Sequence, residues 1–177
     1  MMRCRMRHSR SFTLIELIVV TTIVSIIAVT AAPLFGSTSQ RRLGAAASQL
    51  AADLRYARGL AVATRRHTWV TFQLNNERYR VRIESSIGGG RENRVNVTHP
   101  ITGAGNFRVD LDTGDYAGIE IQSASFGGRK EVEFDRFGRP YNGQGTLLAD
   151  DGTVVLSTSG GTRTVRVVAE TGMVRED

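Results

Sequence analysis

The chain has 177 residues, a formal net charge of +6 and 41% hydrophobic residues, which leaves room for one domain beyond an anchor. Arg3, Arg5, Arg7 and Arg10 sit in the first ten residues, and removing those 4 from +6 leaves +2, too little to make nucleic acid the default partner. The one cysteine, Cys4, lies in the same stretch, so everything downstream must be held by packing without an internal disulfide.

Residues 11–33 then read S-FTLIELIVVTTIVSIIAVTAA-P, and between Phe12 and Phe35 the single ionisable side chain is Glu16. As a helix rising about 1.5 Å per residue, this run spans roughly 30–36 Å, enough for the hydrocarbon core of a bilayer. Its β-branched residues weaken a helix in water. In lipid every backbone group must bond within the segment, so helix is the form expected. A carboxylate costs about 2.5–3.5 kcal/mol at the membrane centre and less near an end, so Glu16 calls for a partner, a neutral form or a route to the headgroups. The leader arginines predict a cytoplasmic N-terminus and an exported C-terminus, opposed weakly by Arg41 and Arg42. Ala28 and Ala31-Ala32 imitate the cleavage site of an ordinary secretory signal, a reading that the uninterrupted length and Glu16 count against.

A basic leader, a small residue, then Phe12-Thr13-Leu14-Ile15-Glu16 and an apolar run resemble the class III signal of type IV prepilins and type II secretion pseudopilins. The resemblance implies cleavage between Ser11 and Phe12 by a prepilin peptidase and N-methylation of Phe12. It also implies an assembly role for Glu16, whose carboxylate would pair with the new amine of a neighbouring subunit and fix register. Ser11 stands where that family usually has glycine. Pro33 falls where family helices bend, since proline removes a backbone donor and crowds the preceding turn. The layout expected is a leader at 1–11, a transmembrane half-helix at 12–35, an amphipathic half at 36–66 and a β-rich domain at 67–177.

Beyond Gly36-Ser37-Thr38-Ser39, residues 40–66 read as an amphipathic helix. Leu43, Leu50 and Ala57 recur at seven, with Ala47, Leu54 and Ala61 as the partner row and most arginines elsewhere. This stripe is expected to pack on the domain's own sheet. From His67 the period becomes two: Thr68, Val70, Phe72 and Leu74 alternate with Trp69, Thr71 and Gln73, and Asn75-Asn76 predicts a two-residue turn into Tyr79, Val81 and Ile83. Short strands follow at Val95–Val97, Phe107–Val109, Ile119–Ile121, Val132–Phe134, Val154–Leu156 and Val165–Val168, punctuated by glycines. One long helix followed by an antiparallel sheet is an α+β pattern.

Catalytic groupings are not found in the sequence. His8, His67 and His99 show no metal-binding spacing, and no nucleophile elbow, Walker loop or dinucleotide fingerprint occurs. Asp110, Asp112 and Asp115 are spaced like part of a calcium loop, but Gly114 falls at the fifth position and Ile121 at the twelfth, so a solvated turn is the better account. No cofactor, metal site or enzymatic activity is expected.

The second half carries Leu54-Arg55-Tyr56-Ala57-Arg58, Phe134-Asp135-Arg136-Phe137-Gly138, and Val165-Arg166-Val167 before Thr171-Gly172-Met173-Val174. In these it resembles the H-type minor pseudopilins of type II secretion and the related FimT and FimU minor pilins. That resemblance implies a pilin-like fold and a structural subunit in assembly and protein export. The partners implied are other pseudopilins or pilins, the prepilin peptidase, the inner-membrane assembly platform, membrane lipid and exported cargo. The alternative is a type IV pilus minor pilin that captures DNA for uptake, with Arg163, Arg166 and Arg175 as the phosphate-contacting candidates. Glu176 and Asp177 at the chain end count against it.

Overall fold

The computed structural model describes residues 13–177, without the side chains of 28–37. The chain divides into two compact units after Thr38. Helix α1 runs Leu14–Thr64, so the backbone stays helical through Pro33 and through Gly36–Ser39, where the sequence reading paused. The helix ends in a Schellman arrangement, with Arg66 N–H bonded to Ala61 O at 3.2 Å and Arg65 N–H to Val62 O at 3.4 Å. Arg65 occupies the left-handed position, φ 55°, where glycine is usual. That reversal delivers the chain directly into β1.

The C-terminal unit, Ser39–Asp177, packs the remainder of α1 on two antiparallel sheets where one was expected. The first sheet has the order β3-β2-β1-β6-β7, with β4 also pairing β2; the second has the order β10-β9-β8-β5. In chain order the strands are β1 Thr68–Gln73, β2 Arg78–Glu84, β3 Arg94–Asn96, β4 Arg108–Asp110, β5 Glu120–Ser125, β6 Glu131–Phe134, β7 Pro140–Asn142, β8 Gly152–Thr158, β9 Gly161–Val167 and β10 Val174–Glu176. The sequence reading did not place β7 and β10. β7 begins with Pro140 at the edge of its sheet, where a ladder tolerates a residue without an N–H.

The β1–β2 connection corrects the expected two-residue turn. A short 3-10 turn, Leu74–Asn76, precedes Glu77 in the left-handed region at φ 44°, and the strands close at Gln73↔Arg78. Glu77 is fixed there because its carboxylate accepts the Ile121 N–H of β5 and its carbonyl accepts Leu111 N–H at 2.7 Å. A tertiary anchor, not asparagine's tolerance of positive φ, decides this turn. The β5–β6 reversal does follow local chemistry: Gly127 and Gly128 both have positive φ between the bridged pair Phe126↔Arg129, as a two-residue hairpin requires.

The core holds both predicted helix rows, Leu43, Leu50 and Ala57 with Ala47, Leu54 and Ala61, each at most 2% exposed. They meet Val70, Phe72, Tyr79, Val81, Val132 and Phe134 of the first sheet and Leu156, Val165 and Val167 of the second in one cluster. Two polar links tie helix to sheet inside it. Thr68 Oγ1 donates to Ala57 O at 3.0 Å, and Tyr79 Oη donates to Asp53 Oδ2 at 2.5 Å, with Gln49 Nε2 donating to Asp53 Oδ1 at 2.9 Å. Burial raises the Asp53 pKa above its ordinary 3.8, only partly offset by the Tyr79 and Gln49 hydrogen bonds. Burial likewise pushes the Tyr79 phenol well up.

Removing the Tyr79 hydroxyl as Tyr79→Phe strips one donor from a buried carboxylate and is expected to destabilise the domain by about 1–3 kcal/mol. It also raises the Asp53 pKa further. The folded state then holds that proton more tightly than the unfolded chain, so stability is lost as pH rises from near 3.8 through the folded value. The deficit against wild type should therefore be larger at neutral pH than at pH 4, as read by urea denaturation at both. Gly152 sits directly against the buried Phe126 ring, where an added Cβ would collide with the ring edge. Gly152→Ala is expected to cost about 1–3 kcal/mol by overpacking, checked by the same denaturation midpoint.

Candidate functional site

The leader 1–11, with Ser11, and Phe12 lie outside the described residues. Thr13 immediately precedes α1; its Oγ1 accepts the Glu16 N–H at 3.4 Å while its carbonyl accepts from Glu16 and Leu17 at 3.1 and 3.2 Å. Thr13 is therefore the N-cap and Glu16 the third helical residue, the T-x-x-E spacing of a capping box. A carboxylate in the first turn also faces the positive end of the helix dipole. This local role for Glu16 was readable from spacing alone and was missed.

Around Glu16 the surface is apolar on every side. The large hydrophobic side chains from Leu14 to Ile27 are 49–78% exposed within the chain, and they fall all round the helix rather than in a stripe. The hydroxyls among them turn inward: Thr22 Oγ1 donates to Ile18 O and Ser25 Oγ to Thr21 O, both at 2.7 Å, and Thr21 Oγ1 donates to Leu17 O and Ile18 O at 3.0 Å. A helix that is apolar all round needs a non-aqueous surrounding, and leaving each such side chain in water forfeits about 1.5–3 kcal/mol. Among the described residues no helix is long and apolar enough to cross a membrane. The apolar run in the sequence continues into 28–35, whose side chains are not described. Pro33 is among them, so its ring carries no statement beyond its place within α1.

In the C-terminal unit, the outer face of the first sheet gathers polar residues that no sequence motif announced. Trp69 lies on that face yet is 1% exposed. Arg94 stacks its guanidinium 5.1 Å from the indole centroid and His67 lies against the same ring at 6.0 Å. Glu131 accepts from Arg94 Nη1 at 2.6 Å, Arg91 Nη2 at 2.8 Å and Thr71 Oγ1 at 2.7 Å. Next to it, His67 Nδ1 and Glu133 Oε1 are 2.6 Å apart. Burial beside Arg94 lowers the Arg82 pKa. At one end of this face Phe137 is 64% exposed, flanked by the guanidiniums of Arg136 and Arg139, each 5.4 Å from its ring. Burial works to raise the Asp135 pKa, and the backbone and side-chain hydrogen bonds of Arg139 with the Phe137 N–H outweigh it, leaving it below the usual carboxylate value.

The three C-terminal arginines do not converge. Arg166 and Arg175 are registered neighbours across β9 and β10, but Arg163 lies on the other face, opposite the core residue Leu156. Arg166 is also engaged, donating to Asp177 Oδ2 at 2.8–2.9 Å with Asp151 at 3.6 Å. In the acidic turn, Asp110 faces Arg108 at 3.0 Å and Arg78 at 4.0 Å, so cations of the chain already occupy its oxygens. His99 is 9% exposed; its Nδ1 accepts the N–H groups of Ile101 and Thr102 at 3.2 and 3.3 Å and its ring packs 4.4 Å from Phe107. It staples a loop.

Comparison with known proteins finds the prokaryotic N-terminal methylation motif at residues 6–32 and the family described as type II transport protein GspH at residues 46–172. No curated protein sequence matches. The fold is similar to that of the minor pseudopilin EpsH from the type 2 secretion system of Vibrio cholerae, at TM-score 0.56 and 10% identity over 77% of this chain and 96% of that one. It is also similar to the type IV minor pilin FimU of Pseudomonas aeruginosa, at TM-score 0.51 and 17% identity over 79% and 91%. An N-terminal methylation motif followed by a helix packed on two antiparallel sheets, with the family match spanning most of the sheet-bearing unit, places the chain in the type II transport protein GspH family, with the fold of the minor pseudopilins and pilins.

Proposed function

We propose that the chain is a minor subunit of a type II secretion pseudopilus with a structural, non-enzymatic role in assembly and protein export. The observation that carries this reading is the helix start: a single carboxylate in the first turn of a helix that is apolar on every side, within the methylation motif and ahead of a GspH-type domain. Residues 12–35 anchor it in the bacterial inner membrane with the N-terminus cytoplasmic and the sheets periplasmic. The prepilin peptidase cuts between Ser11 and Phe12 and methylates Phe12. Thr13 stays as N-cap in the shortened chain, leaving the Phe12 amine one residue ahead of it.

Glu16 then has two duties in one turn. Within its own helix it complements the dipole. Across the filament its carboxylate receives the cationic amine of an adjacent subunit in lipid, where an unpaired charge is costly, so subunits stack only in the register that pairs them. Pro33 bends the helix within its apolar half. Other pseudopilins, the peptidase, the assembly platform and membrane lipid are the partners of this segment, and exported cargo meets the sheets.

Glu16→Ala should leave membrane insertion and domain folding intact while abolishing co-purification with the filament; normal incorporation would refute the register role. The intact mass of the membrane-extracted protein should lack residues 1–11 and carry one added methyl group. A mass that retains Met1, or that begins beyond Ala32, would refute the processing route.

The FimU likeness in fold supports a second reading, a type IV pilus minor pilin that contacts DNA. Arg175 beside Arg166 is its best support, weakened by the Asp177 and Asp151 partners of Arg166. DNA retention that falls steeply with salt and is lost in Arg166→Ala/Arg175→Ala would favour it; no retention at low salt would eliminate it.

A further inference from the structure

Three arginines from two distant parts of the sequence, Arg41, Arg42 and Arg163, are brought to one level of α1. In β9 the inward-facing Val165 and Val167 are fully buried, and Arg163 is the next residue of that row, exposed where the core ends. It meets the helix there. Gln40 Nε2 fastens the β8–β9 turn to α1 by donating to Gly160 O at 3.2 Å, and an added Cβ at Gly160 would come within 3.3 Å of Gln40 Cγ. Arg163 lines a cleft with Gln40 and Leu43, while Arg42 lines a separate one with Ser39 and Ser159. Arg41 is turned about 100° round the helix from Arg42. All three side chains are exposed, and none makes an ion pair or a side-chain hydrogen bond among the described residues. One carboxylate accompanies them, Glu120 in the Arg42 cleft, also exposed and unpaired among the described residues.

Exposed arginines are ordinarily a solvated face. What singles this group out is its level on the chain and its arrangement. The apolar run ends at Phe35, and Arg41 stands about 9 Å further along a helix, at the depth where the polar layer of a bilayer meets water. The guanidiniums are spread round the helix at that level, not strung along a groove, which suits a plane crossed by the helix better than a linear polyanion. The cluster has no aromatic side chain on which a nucleic-acid base could stack. The turn beside it, Thr158-Ser159-Gly160-Gly161-Thr162, is small and hydroxylated, as a hydrated headgroup layer requires.

We propose that Arg41, Arg42 and Arg163, with the β8–β9 turn, form a collar that binds the phosphate headgroups of anionic lipid on the exported side of the membrane. The inference rests on the anchor reading of residues 12–35. It adds that the sheet-bearing unit is held to the bilayer by its own charges and not by the anchor alone.

The full chain with Cys4→Ser is labelled with a fluorophore at Ser159→Cys and placed in nanodiscs whose headgroups carry a spin-label quencher, made of phosphatidylcholine with or without phosphatidylglycerol. A separate sample labelled at Val24→Cys reads the anchor through an acyl-chain quencher. The expected result is strong quenching at Val24 in both lipids, with quenching at Ser159 that rises with phosphatidylglycerol and falls with salt. Each Arg→Gln replacement at 41, 42 or 163 should lower the docked-to-free ratio about fivefold; all three side chains are exposed, so the fold is not at risk. Quenching at Val24 with none at Ser159 overturns the collar and leaves the anchor standing, as does Ser159 quenching indifferent to phosphatidylglycerol and to the triple Gln variant. No quenching at Val24 overturns the anchor reading and the collar with it. A Ser159 response to a single-stranded oligonucleotide but not to phosphatidylglycerol assigns the arginines to nucleic acid and overturns lipid binding.

Discussion

The close approach of a helix to two sheets is the constraint on which the C-terminal unit depends. Ala46, Ala47, Ala51, Ala57 and Ala61 line the buried side of α1 at 2% exposure or less, and small side chains let the helix backbone come near enough for strands of both sheets to share one core. Leu43, Leu50 and Leu54 fill what the alanines leave. Because the helix is thin on this side, polar groups of its backbone and side chains reach the sheet. The Thr68 hydroxyl reaches the Ala57 carbonyl and the Tyr79 phenol reaches Asp53. These links are directional where apolar contact is not, and they fix which turn of the helix lies over which strand.

The same helix faces two chemistries along its length. From Leu14 to Ile27 its apolar residues are spread round the axis, and from Leu43 to Ala61 they are gathered on one side. A single secondary structure thus carries a stretch that is apolar all round and a stretch that is apolar on one face, and what changes is only the angular distribution of side chains. Hydroxyl groups in the first segment bond back to the preceding turn, which hides their polarity. Glu16 has no such recourse, and its position at the third residue of a capped helix gives it a local electrostatic reason to be acidic besides the intersubunit one proposed for it.

The seven-residue rows on α1 were legible because burial on one face writes a period into the sequence, and the same holds for the β1–β2 alternation. The turn between those strands was not legible. Its geometry is set by Glu77 reaching Ile121, a partner far along the chain. β7 and β10, of three residues each, were missed because Pro140-Tyr141-Asn142 and Val174-Arg175-Glu176 lack the apolar–polar–apolar triplet that marked the equally short β3 and β4. Trp69 illustrates the remaining limit: alternation sets it opposite the core residues Val70 and Phe72, yet it is 1% exposed, with the His67 ring and the guanidinium of Arg94, brought from β3, against its indole. The methylation signal was legible because it is contiguous. The splitting of Arg163 from Arg166 and Arg175 follows from strand parity and was available in principle once β9 was drawn.

The two sheets are threaded through one another. β1 and β2 open the first sheet, the chain then lays down β5 at the margin of the second, returns through Gly127-Gly128 to place β6 beside β1, and goes back for β8, β9 and β10. Neither sheet closes from a continuous stretch of chain: β1 pairs with β2 at once but gains its other neighbour some sixty residues later, as in Thr71↔Glu131. Long-range pairing of this kind is slow and all-or-none. A polypeptide emerging N-terminus first therefore holds its helix next to an incomplete sheet edge until nearly the whole length has been delivered, and the helix must be kept from other surfaces during that interval.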